Sequence, residues 1–383
     1  MTGPIFDRRL FTGGFAALPL SACATMSPRS AAAGVAVSDF GMTATGEPVR
    51  LFTLTNRAGH SAKIMTWGAA LTSLVMPDRS DALADVVLGL DSYDDYVARS
   101  RNFGATIGRY AGRIAGGQFE LDGRIVHLET GGGAHSSHGG PVGFSKRNWT
   151  GRLDETLEGP GVSMTLVSAD GDQGFPGKLV ITVTYRLTHD DRLTLAFEAT
   201  TNRPTVLNPT HHSYFNLSGA PGRLVLDHVV TIDADEFTAF GPDKIVTGEL
   251  RPVAGTPLDF RRPKTLGRDL ATPDEQVRIG GGYDHNFVLR GEPCVLRRAA
   301  RVDHPESGRR MELWTTEPGV QFYTANAVEM IGRDGVPYHP HCGLCLEPQH
   351  YQNSPNRPEF PITVLRPGAT YHSTSEYRFG RAD

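Results

Sequence analysis

The sequence predicts an all-β protein built as one large antiparallel β-sandwich with few short helices. Three observations carry this. Several segments alternate apolar and polar residues at period two, the pattern of a half-buried strand. Glycine (44) and proline (26) in 383 residues stand well above the roughly 12% that the two make up in average proteins. Turn-formers at that density break a chain into short pieces and argue against a helical bundle. Helix start signals are sparse.

In chain order, Leu51–Thr55, Lys63–Thr66 and Leu71–Met76 read as strands. Ser92, three residues before Asp95, can cap a short helix running to about Arg99. Ser163–Ser168 reads as a strand. Leu179, Ile181, Val183, Tyr185 and Leu187 share one face of a strand, and Leu193, Leu195, Phe197 and Ala199 repeat the pattern after His189-Asp190-Asp191. These two form a hairpin with the polar triplet as its turn. Leu224–Ile232 and Met311–Thr315 also read as strands. There is no fixed-period repeat, and no composition shift marks a second domain, so residues 37–383 are assigned to one sandwich.

The first residues differ from this body. Arg8-Arg9 precedes a short, weakly apolar stretch ending in Leu20-Ser21-Ala22-Cys23. Paired arginines before such a stretch resemble a twin-arginine export signal, and Leu-Ser-Ala-Cys resembles a lipobox whose cysteine is acylated. This assigns 1–23 to an export signal and 24–36 to a linker, with folding starting near Val37. The expectation is an exported protein, periplasmic or anchored to a membrane through lipidated Cys23; cleavage nearby without lipid is the competing reading.

Lys and Arg total 38 against 42 Asp and Glu, a balance that disfavours a nucleic-acid partner. No apolar run reaches the roughly 20 residues of a bilayer-spanning helix. Besides Cys23 the cysteines are Cys294, Cys342 and Cys345, too few for a disulfide framework. Cys342 and Cys345 sit three apart in an apolar, strand-like run. They should face opposite sides and not share a ligand. The histidine spacings are not those of a zinc site, so no metal is expected.

Polar side chains concentrate in four places. Gly108-Arg109-Tyr110-Ala111-Gly112-Arg113-Ile114 is followed by the glycine-rich 131–140, which ends His138-Gly139-Gly140. Dense glycine permits sharp bends and close ligand approach. The second place is Asn208–Leu217 with His211-His212. Adjacent on a strand, these two point to opposite faces, so only one enters a given pocket. The third is Gly282–Phe287 with Asp284. The fourth combines Gln321–Thr324 with Leu346-Glu347-Pro348-Gln349-His350. Glu347 follows an apolar run, and burial there would raise its pKa and favour a base role.

Taken together, six of these motifs resemble the aldose 1-epimerases, or galactose mutarotases: 108–114, 138–140, 211–217, 283–287, 320–324 and 346–349, in the family's order and spacing. Gly171–Gly177 is also similar to the family's turn before its central hairpin. The resemblance spans roughly residues 38–380. It implies a galactose mutarotase-like supersandwich with an open cleft for a small aldose and no cofactor. It implies Glu347 as general base and His212 as general acid, with Arg113, His138, Asp284 and Gln321 holding sugar hydroxyls and Tyr214 lining the cleft. Three positions depart from the family's frequent asparagines, namely Gly112, His135 and His211, and are expected at the rim of substrate contact. Two alternatives stand beside this reading. A glycoside hydrolase or lyase could use Asp284 and Glu347 as its carboxylate pair, and a carbohydrate-binding protein would bind without catalysis.

Overall fold

A computed structural model describes residues 1–3 and 33–382. Arg8-Arg9, the apolar stretch and Cys23 lie outside the described residues. Chain contacts separate Met1–Ser30 from Ala31–Asp383, and the architecture is that of the second unit.

Three antiparallel sheets dominate. The first runs in simple meander order through Gly34–Met42, Pro48–Thr55, Ser61–Met65, Ala70–Pro77 and Leu83–Asp85. Gly34, Val35 and Ala36, assigned above to the linker, pair with Thr55, Leu54 and Thr53 and so belong to this sheet. The second sheet has nine strands with the hairpin Leu179–Leu187/Arg192–Thr201 near its middle. The hairpin register is Leu187 opposite Leu193 through Leu179 opposite Thr201, and burial alternates residue by residue along the first strand. The alternation seen in the sequence is therefore the inside and outside of a half-buried sheet.

The third sheet positions the site. Its five strands lie in the order Val246–Pro252, Ala234–Phe240, Asp284–Leu289, Gly319–Tyr323, Cys345–Gln349. One face sends Phe287, Val320, Phe322 and Leu346 into a core shared with Ile64 of the first sheet and Ile181, Val183 and Leu195 of the second. That shared core is what makes the molecule a sandwich. The Tyr377 hydroxyl, from the nine-stranded sheet, donates to the Leu346 carbonyl at 2.8 Å and pins the two layers together.

The helix from Tyr93 to Arg99 starts as expected, with the Ser92 hydroxyl accepting from the Asp95 amide. A second helix, Glu275–Gly280, was not read from the sequence. It begins at Asp274, whose carboxylate accepts from the Gln276 and Val277 amides, a strong N-cap on a segment too short to show periodicity. Leu224–Ile232 is not one strand: a 3-10 turn at Val225–Asp227 precedes the strand Val229–Ile232.

Candidate active site

The third sheet's other face forms the floor of a cavity. Gln321 lies directly across from Glu347, and Tyr323 across from Cys345 and Asp284. Cross-strand partners point the same way, and residues two apart on a strand share a face. Register alone therefore gathers Asp284, Gln321, Tyr323, Cys345, Glu347 and Gln349 on one side. A cavity of about 400 Å³ opens over them, lined by Arg113, His138, His212, Tyr214, Asp284, Gln321 and Glu347, all seven residues singled out in the sequence.

The walls come from elsewhere in the chain. The short strand Thr210–His212 pairs with Ala105–Ile107 and turns His212 to the cavity. Arg113–Ile114 pairs with Ser136–Ser137, which brings Arg113 and His138 to one wall. The His138 amide donates to the Gly112 carbonyl at 2.9 Å. In return His138 Nδ1 accepts from the Gly112 amide at 3.4 Å, so in the neutral ring the proton sits on Nε2. Burial, with His212 and Arg113 nearby, pushes the His138 pKa down to about 3 and keeps it neutral.

His212 and Glu347 are both buried, with Nε2 3.6 Å from Oε1. Tyr214 stacks on the His212 ring at 5.0 Å, and its hydroxyl donates to the Arg101 carbonyl at 2.9 Å, which fixes the plane of both rings. Burial, and then the charge of Asp284, pushes Glu347 well above the ordinary carboxylate range. Burial pushes His212 down to about 4. Glu347 Oε2 is buried with no protein partner among the described residues, which leaves an acceptor available to a ligand.

A chain of hydrogen bonds ties the Arg113 wall to the floor. The Arg113 amide donates to Gln352 Oε1 at 3.2 Å, Gln352 Nε2 to Gln321 Oε1 at 3.1 Å, and Gln321 Nε2 to Asp284 Oδ1 at 2.7 Å. Each amide is thereby locked in one orientation. Asp284 lines the cavity at the end of this chain. Its pKa is raised to about 6 by burial, partly offset by Arg113 and Lys244.

The departures from the family pattern fall differently from the expectation. His211 is not at the rim. It is buried behind the cavity, with Nε2 2.7 Å from the Ser213 hydroxyl and Nδ1 3.3 Å from the Tyr185 hydroxyl. His135 also lies off the cavity lining and accepts from the Gly116 amide at 3.1 Å. Only Gly112 lines the cavity. Its φ of +76° favours glycine, and a Cβ would sit 2.4 Å from Gln352 Cγ, so the glycine serves the Gln352 hydrogen-bond chain rather than ligand approach.

Sequence reading missed Arg101, Asn102, Lys244, Asn326 and Gln352 in the lining. It also gave no role to Tyr323 and Gln349, which stand two residues from Gln321 and Glu347; strand alternation alone could have found them. Cys345, expected in an apolar strand without a ligand role, has its Sγ 3.5 Å from His212 Nδ1. Both Cys342 and Cys345 are buried thiols, and the strand begins only at Cys345.

Asp227, His228 and His304 form a second cluster of metal-ligand types. There the Leu217 amide donates to His228 Nε2 at 3.0 Å and the Ser307 amide to His304 Nδ1 at 3.1 Å. The remaining ring N–H groups face Asp227 at 3.0 and 3.5 Å. The cluster is a structural latch in which the His228 hydrogen bond, with His304 and Arg223 nearby, holds Asp227 ionised, well below the usual range.

The chain is similar to known proteins over most of its length. The aldose 1-epimerase family model matches residues 50–378. Galactose mutarotase of Bos taurus is 41% identical over 321 residues, covering 83% of this chain and 91% of that protein. Aldose 1-epimerase of Escherichia coli K12 is 39% identical over 337 residues, covering 87% and 96%. Among solved structures, galactose 1-epimerase from Lactobacillus acidophilus superposes with a TM-score of 0.81 at 26% identity over 92% of this chain and 100% of that one. An aldose epimerase homologue from C. elegans superposes with a TM-score of 0.79 at 30% identity over 87% and 99%. The chain is an isomerase and belongs to the aldose 1-epimerase family.

Proposed function

We propose that the protein interconverts the α and β anomers of a free aldose, with Glu347 as general base and His212 as general acid. The observation that carries this is the buried pairing of a carboxylate and an imidazole in a cavity that Arg113, His138, Asp284 and Gln321 also line. A hemiacetal opens when the proton of its anomeric hydroxyl is removed while the ring oxygen gains one. Glu347 takes the first proton and His212 Nε2 supplies the second. The C1–O5 bond breaks, the aldehyde turns about C1–C2, and closure returns both protons with the anomeric centre inverted.

Glu347 protonated beside neutral His212, and ionised Glu347 beside the imidazolium, hold the same single proton. Exchange between the two is therefore independent of solvent pH, and the pair titrates as a unit. The second form is the productive one. Asp284, Gln321, Arg113 and His138 hold the remaining hydroxyls so that the open chain keeps its place, which is catalysis by positioning.

The export reading is also a proposal: Arg8-Arg9 directs export and Cys23 carries lipid, placing the enzyme in the periplasm or on a membrane. It rests on the sequence pattern alone. Polarimetry on freshly dissolved α-sugars tests the activity. Release of reducing sugar from an oligosaccharide instead would favour a hydrolase.

A further inference from the structure

We infer that Cys345 is a positioning residue for the acid: its sulfur accepts a hydrogen bond from His212 Nδ1–H and so reserves Nε2 as the nitrogen that gains and loses the catalytic proton. This rests on His212 being the acid.

The two sides of the His212 ring are occupied differently. Glu347 Oε1 stands on the Nε2 side at 3.6 Å and Cys345 Sγ on the Nδ1 side at 3.5 Å. The sulfur is buried, and burial with the neighbouring carboxylates pushes its pKa well above the ordinary thiol value, so it stays a thiol with acceptor lone pairs. Atoms of His212, Cys345 and Glu347 lie within 4.8 Å of one another. Sulfur and carboxylate nevertheless flank opposite ring nitrogens, a poor arrangement for a single shared ion and a good one for fixing a tautomer.

In the imidazolium both nitrogens carry hydrogen. Nε2–H passes its proton to the ring oxygen of the sugar, which leaves a neutral ring with its hydrogen on Nδ1 and a bare Nε2. When the ring closes, Nε2 takes the proton back. Nδ1–H is unchanged throughout and needs an acceptor throughout. Cys345 is the side chain placed to be that acceptor, and Tyr214 stacking keeps the ring from turning away from it.

The test uses the intact protein, Cys345→Ala and Cys345→Ser. Imidazole 15N NMR of the wild type should show His212 protonated at Nδ1, and Cys345→Ala should show a mixture of tautomers. The Cys345→Ala kcat should fall about five- to tenfold with KM within about twofold, since a single hydrogen bond to the acid form is lost. Cys345→Ser, which keeps an acceptor, should recover most of that loss. In a His212→Asn background Cys345→Ala should have no further effect. A bare Nδ1 in the wild type, or Cys345→Ala with wild-type kcat and an unchanged 15N pattern, would overturn the inference while leaving His212 as the acid. A His212→Asn enzyme with the wild-type rate would instead overturn the assignment of the acid.

Discussion

Gln321 and Glu347 stand directly opposite one another on neighbouring strands, so the Gln321 amide and the Glu347 carboxylate share one face of one sheet. The amide is oriented by its bond to Asp284 and the carboxylate faces His212. The site is thus a property of strand register: a one-residue slip of Cys345–Gln349 would turn Glu347 into the core.

Replacing His212 by asparagine removes the proton donor and keeps a polar group of smaller size. The expected outcome is a fall in kcat of about 10²–10⁴ with KM little changed, read by polarimetry.

Activity requires ionised Glu347. The productive pair also holds one proton, which it loses as pH rises, leaving no imidazolium to act as the acid. Because burial and Asp284 raise the Glu347 pKa, the pair keeps that proton well above the usual carboxylate range, and this loss sets the alkaline limb of the kcat profile. Asp284→Asn removes a like charge and should move that limb to lower pH.

The same variant tests a stability effect. The folded pKa of Asp284, about 6, exceeds its ordinary value of 3.8. Below the ordinary value both states hold the proton and the group is neutral in its effect. As pH rises toward the folded pKa the unfolded chain ionises first, and the native state is progressively disfavoured. Asp284→Asn should match the wild type in Tm near pH 3.5, exceed it by pH 8, and bind sugar more weakly, the exchange of stability for function expected of a buried site charge.

Gly112→Ala forces a Cβ onto Gln352 in a left-handed backbone conformation. It should destabilise the protein by about 1–3 kcal/mol in denaturant unfolding and raise KM, because Gln352 supports Gln321.

Much of this was legible in the sequence because strand alternation encodes both layers of a half-buried sheet. The hairpin at 179–201 follows from that pattern, and the seven site residues were implied by the family resemblance that the six motifs carry. What was not legible has physical causes. Lys244 and Gln352 reach the cavity from loops, where no periodicity exists. His211 is set by packing against Tyr185 and Tyr377, which are distant in sequence. Cys345 looked like core because a buried thiol and a site thiol have the same local sequence.

Mass spectrometry of the protein purified from its native cells tests the proposal of export and lipidation. A mature chain starting at a diacylated Cys23 is expected, and an unmodified terminus elsewhere would reject lipidation.

Polarimetry of a freshly dissolved α-aldose with wild-type enzyme and Glu347→Gln, at equal concentration and at a pH on the activity plateau, isolates the part played by the base. The wild type should speed mutarotation, and the variant should retain its fold and bind the sugar while losing at least about 10²-fold in rate. A Glu347→Gln enzyme that runs at the wild-type rate would contradict the account.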